Sequence, residues 1–318
     1  MKQHLAALAL SGVALASNCL ASPTYVYEGT RHDAMYGICF AGDQGVAVGD
    51  WGAVLTSTDG GDTWSSAAQP SGLALLDLSC NANITLIVGQ SGLILKDGPD
   101  GFSTRESGTS ERLLGVSHNS SGLAVAVGSF GTVLRSRDGG ESWEPLSFDW
   151  EAMLNDFLEP HLYDVMVDEA GVVTMAGEFG LILQSQNAGD DWAVANKSEA
   201  SLFGLTLDGQ RGYAVGQDST VLATDDGGAS WRAVEVPAKT NLLDVWAGDG
   251  QVVISGIRTI ITSGDDGASW QARDDLDFLT GWYQNIAVPG AIGQREQAFL
   301  VGKQGRIVAL PLVATTAQ

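Results

Sequence analysis

The sequence is poor in positive charge: 16 Lys and Arg stand against 38 Asp and Glu over 318 residues, a formal net charge of -22. Such a chain repels phosphate backbones and anionic bilayers, so neither is an expected partner. Charged residues of both signs make up only 17% of the chain, too few for long solvated helices. Histidine is rare, and His32, His118 and His161 fall without metal-ligand spacing; no HExxH occurs, so no metal site is expected. There is no phosphate loop, no GxSxG and no plausible thiol nucleophile, and no cofactor is expected. Carboxylates are abundant enough that a pair for glycoside hydrolysis stays open. Beyond the first residues no apolar run approaches 18, so no membrane-spanning helix is expected.

The N-terminus reads as a secretory leader. Lys2 and His4 precede an apolar run from Leu5 to Ala16, too short to cross a bilayer, with small-residue cleavage options ending at Ala16 and Ala21. Residues 1–21 are therefore assigned as a signal peptide and 22–318 as the mature chain. A lipid anchor at Cys19 is disfavoured by Asn18 before it. Of three cysteines, Cys39 and Cys80 then remain, either bonded in an oxidising compartment or buried as separate thiols.

Glycine is plentiful, 41 residues, and it is periodic. A Ser/Thr-x-Asp-x-Gly-x-x-Trp motif recurs at Ser57–Trp64, Ser136–Trp143 and Thr224–Trp231, with looser copies at Ser185–Trp192 and Ser263–Trp270. Its key residues are Asp59 and Trp64, Asp138 and Trp143, Asn187 and Trp192, Asp226 and Trp231, and Asp265 and Trp270. A degenerate copy runs from Asp97 to Phe102. Ahead of each stands an apolar stretch, Gly-x-x-Gly, then a β-branched run, with first glycines at Gly49, Gly89, Gly128, Gly177, Gly216, Gly256 and Gly302. The spacing is 39–40 residues with two longer steps, which makes seven units.

Four short strands per unit with glycine turns define a propeller blade. The expected fold is all-β: seven four-stranded antiparallel blades, each Asp-box forming the turn between the third and fourth strands. The seventh unit lacks an Asp-box, and the isolated segment Thr24–Glu28 supplies its fourth strand, closing the ring. The Asp or Asn caps its own turn and the Trp packs between sheets. Carboxylates so far apart around a rim cannot converge on one ligand, so their reading is structural.

Strand parity puts the turns between second and third strands on one face, together with the connections between blades. That face carries Trp51, Phe130, Phe179 and Arg258, and the insertion Glu144–His161 adds Trp150 and Phe157. Aromatics beside an acidic insertion either form a protein-binding surface or cap the channel. A single chain suffices for the ring, so a monomer is expected.

The VGxxGxVL and SxDGGxxW signatures, recurring over seven units behind a leader, resemble the photosystem II stability/assembly factor family across nearly all of the mature chain. The resemblance implies a non-enzymatic propeller, in the periplasm or a thylakoid lumen, that binds new membrane-protein subunits during assembly. Members carry an arginine-rich patch. Here Arg135, Arg137, Arg258 and Arg306 are set in a strongly acidic chain, which points to a non-photosynthetic bacterial relative with another envelope client. Two alternatives stay open: a sialidase-like glycoside hydrolase, although no Arg-Ile-Pro motif opens the repeats, and a carbohydrate binder using Trp51, Phe130 and Phe179.

Overall fold

The computed structural model describes residues 21–69, 71–154, 158–290 and 296–312. Phe157 and, of the residues 1–21 expected as a leader, all but Ala21 lie outside the described residues. Seven antiparallel sheets of four strands form the molecule, each a meander from the inside outward. Blade three illustrates the layout, with strands Leu113–His118, Ala124–Gly128, Val133–Ser136 and Glu144–Pro145. Its second strand, AVAVG, is buried at every position because sheets cover both faces, which is why it reads as a continuous apolar run. Its outermost strand has two residues, both exposed.

Blade seven takes three strands from the C-terminal part of the chain, Tyr283–Ala287, Gln297–Gly302 and Ile307–Pro311, and its fourth, Thr24–Tyr27, from the N-terminal part. Thr24 pairs with Ala309 and Tyr25 with Val308, so the ring closes as the repeats imply. Side chains clasp this seam. The Arg306 guanidinium bonds Glu28 at 2.8 Å and lies 4.9 Å from the Tyr25 ring centre. It also donates to Asp277, which accepts from Lys303 and from the Tyr283 hydroxyl as well. The buried Arg273 donates to the Ala21 carbonyl at 2.7 Å.

The corners ending in Trp64, Trp143 and Trp231 share one bonding scheme; the Trp192 corner keeps the indole bond but pairs Asn187 with the Asp191 carboxylate, and the Trp270 corner keeps the Asp265 bonds without an indole partner. In the first, the Ser57 hydroxyl bonds Asp59 at 2.7 Å and accepts the Gly61 N–H at 2.9 Å. Asp59 accepts from the backbone and hydroxyl of Thr63, and the Trp64 indole donates to the Gly61 carbonyl at 2.9 Å. The hydroxyl bonds, reinforced by the backbone, hold Asp59, Asp138 and Asp226 down at about 2. Each Trp then joins a cluster shared with the preceding blade: Trp64 stands edge-on to Phe40 of its own blade at 5.8 Å in the cluster that holds Phe299, and Trp270 stands edge-on to Tyr213 at 5.8 Å. In blade two Phe102 fills this place without an indole.

The two glycines of Gly-x-x-Gly serve different needs. Gly128 is followed by Ser129, whose N–H donates to the Arg112 carbonyl at 2.9 Å, and a Cβ on Gly128 would run into that oxygen. Gly131 has φ 65°, where only glycine is comfortable. Cys39 and Cys80, on the innermost strands of blades one and two, are bonded to each other across a Cα separation of 6.0 Å.

Candidate functional site

Every innermost strand is broken by a β-bulge at its second residue. In blade three Leu113 pairs with Gly128 and Gly115 with Val127, leaving Leu114 outside the ladder; the same slip recurs in all seven blades. A bulge re-aims its side chain. The seven bulged residues are Tyr36, Leu76, Leu114, Tyr163, Phe203, Leu243 and Gln284, and together with Asn241 they line a cavity of about 350 Å3 at the mouth of the axial channel. Among the described residues no carboxylate lines it. The Tyr36 hydroxyl donates to Asp50 at 3.0 Å; burial, then that bond, pushes the phenol up to about 12 and fixes its ring, on which Trp282 stacks at 6.2 Å.

The residue after each bulge locks neighbouring blades together. Going round the ring these residues are Gly37, Asp77, Gly115, Asp164, Gly204, Asp244 and Asn285. Asp77 accepts the Val116 N–H at 2.8 Å, Asp164 that of Leu205 at 2.7 Å, and Asp244 that of Ile286 at 2.7 Å, each from the next blade. Asn285 donates to Asp244 at 2.9 Å and accepts the Ile38 N–H at 3.0 Å. The intervening glycines bring backbones together: a Cβ on Gly204 would press on Asp244, and one on Gly115 on the Asp164 Cα. Asp244 is buried, while Asp77 and Asp164 keep a little accessible surface yet are enclosed by protein on the innermost strands. Loss of water raises all three carboxyls, Asp77 to about 8 and Asp164 to about 6, and their mutual repulsion raises Asp77 and Asp244 further.

Around the mouth, the turns after the second strands each raise one residue in the left-handed region: Trp51, Ser91, Phe130, Phe179, Asp218, Arg258 and Gln304. Trp51 is 72% exposed and Phe130 58%. Arg258 is exposed as well, whereas Phe179 is half-buried against the core between blades three and four. Trp150 does not join this rim. It opens a short helix, α1 (Trp150–Leu154), and is only 8% exposed, stacked on Phe148 at 4.6 Å and packed over Gly131. The amphipathic insertion therefore covers the core with its largest side chain. A second helix, α2 (Leu276–Thr280), presents Leu276 and Leu279 to solvent. Of the exposed large apolar residues described, all but Tyr25 and Val194 lie in connections on this one face.

Between blades two and four the mouth opens sideways into a groove of about 610 Å3, sharing Leu114 and Tyr163 with it and reaching Ser91, Phe130 and His161. The Phe130 N–H donates to His161 Nδ1 at 3.1 Å, and the two rings meet edge-on at 4.8 Å. Sequence reasoning found the rim aromatics but missed the bulge ring. Its only trace in the chain is the recurring second residue of each innermost strand, which reads as ordinary core.

Fold and site define a seven-bladed propeller with an apolar axial mouth and an aromatic rim on one face. Among solved structures, YCF48 from Cyanidioschyzon merolae superposes with a TM-score of 0.73 at 19% identity, over 92% of this chain and 99% of that one. YCF48 bound to D1 peptide gives 0.69 at 18%, over 92% and 97%. The GH74 xyloglucanase from Xanthomonas campestris gives 0.73 at 14% over 93% of this chain, which spans only 54% of that enzyme. At such identities the likeness is one of fold. No protein-family model matches the sequence. No curated protein matches it either.

Proposed function

We propose that this chain is an exported, non-enzymatic propeller that binds a protein partner through the face described above, as an assembly or stability factor for a membrane-protein complex. The observation that carries the reading is the concentration of exposed apolar side chains on one face around an uncharged mouth. Surfaces of this kind mark contact sites, and rigid aromatics such as Trp51 suit the centre of one. The structural likeness to YCF48, one form of which is bound to a D1 peptide, supports it further. On this reading residues 1–21 direct export and the protein works in the periplasm, or in a thylakoid lumen if the host is photosynthetic.

Crosslinking and capture from intact envelopes test it: a membrane-protein subunit is recovered, and Trp51→Ala with Phe130→Ala reduces recovery while thermal stability holds. Undiminished capture by the double variant excludes the face. Exposed Trp51 and Phe130 also suit stacking on sugar rings, so a carbohydrate-binding propeller is the second reading. It calls for glycan-array binding without capture of protein.

A further inference from the structure

We infer that the axial mouth and its side groove form one cleft for an extended, apolar-centred segment of a positively charged partner chain. One large side chain sits in the mouth and the backbone leaves past His161. This rests on the protein-binding reading and adds which chemistry is bound, and where.

Six of the seven bulged positions are aliphatic or aromatic, and the mouth they enclose, about 350 Å3, has room for one large side chain. A helix, about 10–12 Å across with its side chains, displaces far more, so the occupant is strand-like. The groove continues from the mouth at Leu114 and Tyr163, giving the segment a path outward over blades three and four. His161 stands on that path with an assigned tautomer: Nδ1 accepts the Phe130 N–H, so Nε2 carries the proton. Such a donor, between the apolar Leu114, Phe130 and Tyr163 and the polar side of the groove, orients a ligand, and a peptide carbonyl is its natural acceptor. Ser91, Ser110, Ser129 and Gln90 add neutral hydrogen-bonding capacity along the groove, and Glu111 and Arg112 place one charge of each sign on it. The net charge of -22 selects the partner's sign, drawing in a segment flanked by Lys or Arg and repelling an acidic one.

The test uses the full mature chain and labelled nine-residue peptides in fluorescence anisotropy. Peptides with a central Leu or Phe and Lys flanks bind saturably; a Gly centre or Glu flanks weaken binding at least tenfold. Leu243→Gln and Phe203→Ser, in the mouth, weaken it at least tenfold, His161→Ala several-fold, and Leu276→Ser, on the same face outside the mouth, less than twofold. If the mouth variants fail to fold, Phe203→p-benzoylphenylalanine replaces them and crosslinks to the peptide's central residue. Absence of saturable binding, indifference to centre and flanks, or crosslinking to the termini only overturns the inference. Sedimentation with lipid vesicles in place of peptide binding overturns it in favour of a membrane face. Client capture that survives Leu243→Gln but not Trp51→Ala leaves the rim reading standing and removes the mouth.

Discussion

Seven equivalent turn tips hold φ between 53° and 60°, and glycine occupies none of them. For a bulky L-residue that region costs about 1–2 kcal/mol, so Trp51, Phe130 and Phe179 are held against local preference. The Trp51 ring is the most exposed of the three and makes no described ring contact, so packing does not explain its place. Trp51→Gly should therefore stabilise the fold by about 0.5–1 kcal/mol in chemical denaturation while weakening partner capture. A loss of stability would mean that the indole is structural. Trp150 teaches the opposite lesson. Its neighbours in sequence are acidic and suggest exposure, but the five-residue helix it opens turns it onto Gly131 and the core.

At the scale of elements, two sets of carboxylates respond to pH in opposite senses. The corner residues Asp59, Asp138 and Asp226 are held at about 2 against an ordinary 3.8; their contribution is present above pH 4 and is lost as pH falls toward 2. Asp77 and Asp164 are raised to about 8 and about 6; their folded state is favoured below pH 4 and loses that advantage as pH climbs through those values. The melting temperature should then peak near pH 4 and fall as pH rises toward 8. Asp77→Asn keeps an acceptor for the Val116 N–H and should raise Tm at pH 8 by at least about 2 °C while gaining nothing at pH 4. A uniform shift at both pH values would refute the assignment. The corners were legible in the chain because each bonds within eight residues of itself. The interblade bonds were not: Asp77 and Val116 are 39 apart, and nothing local marks a carboxylate that will meet another sheet's N–H. Bulges hide for a related reason, since they interrupt the alternation by which strand faces are read.

For the molecule as a whole, blade number and ring closure followed from the repeat, because a seventh unit short of one strand and a spare strand at the other end have one economical solution. The ring is tied twice near this seam. The outer tie is the Thr24–Tyr27 strand with its Arg306–Glu28 pair, and the inner one is the Cys39–Cys80 bond joining the first two blades. Reduction should cost about 3–4 kcal/mol, the loop-closure value for a 41-residue separation, and lower Tm without abolishing the fold. Removing residues 22–28 leaves the edge of Ile307–Pro311 unpaired and should promote self-association on sizing columns. A monomer of unchanged Tm would show that the strand is dispensable.

Glycine and aspartate alternate along the innermost strands, and an alternation of two cannot be completed on an odd number of places. Either two like residues adjoin or one position belongs to neither kind. Asn285 is that position, and an amide suits it because it can give a proton to one neighbour and take one from the other, which neither glycine nor an ionised carboxylate does. The wheel therefore has a unique spoke, and it coincides with the blade assembled from both ends of the chain. Blades that look interchangeable in the repeat are numbered by this defect, and exchanging a glycine blade with an adjoining aspartate blade would place like against like around the axis.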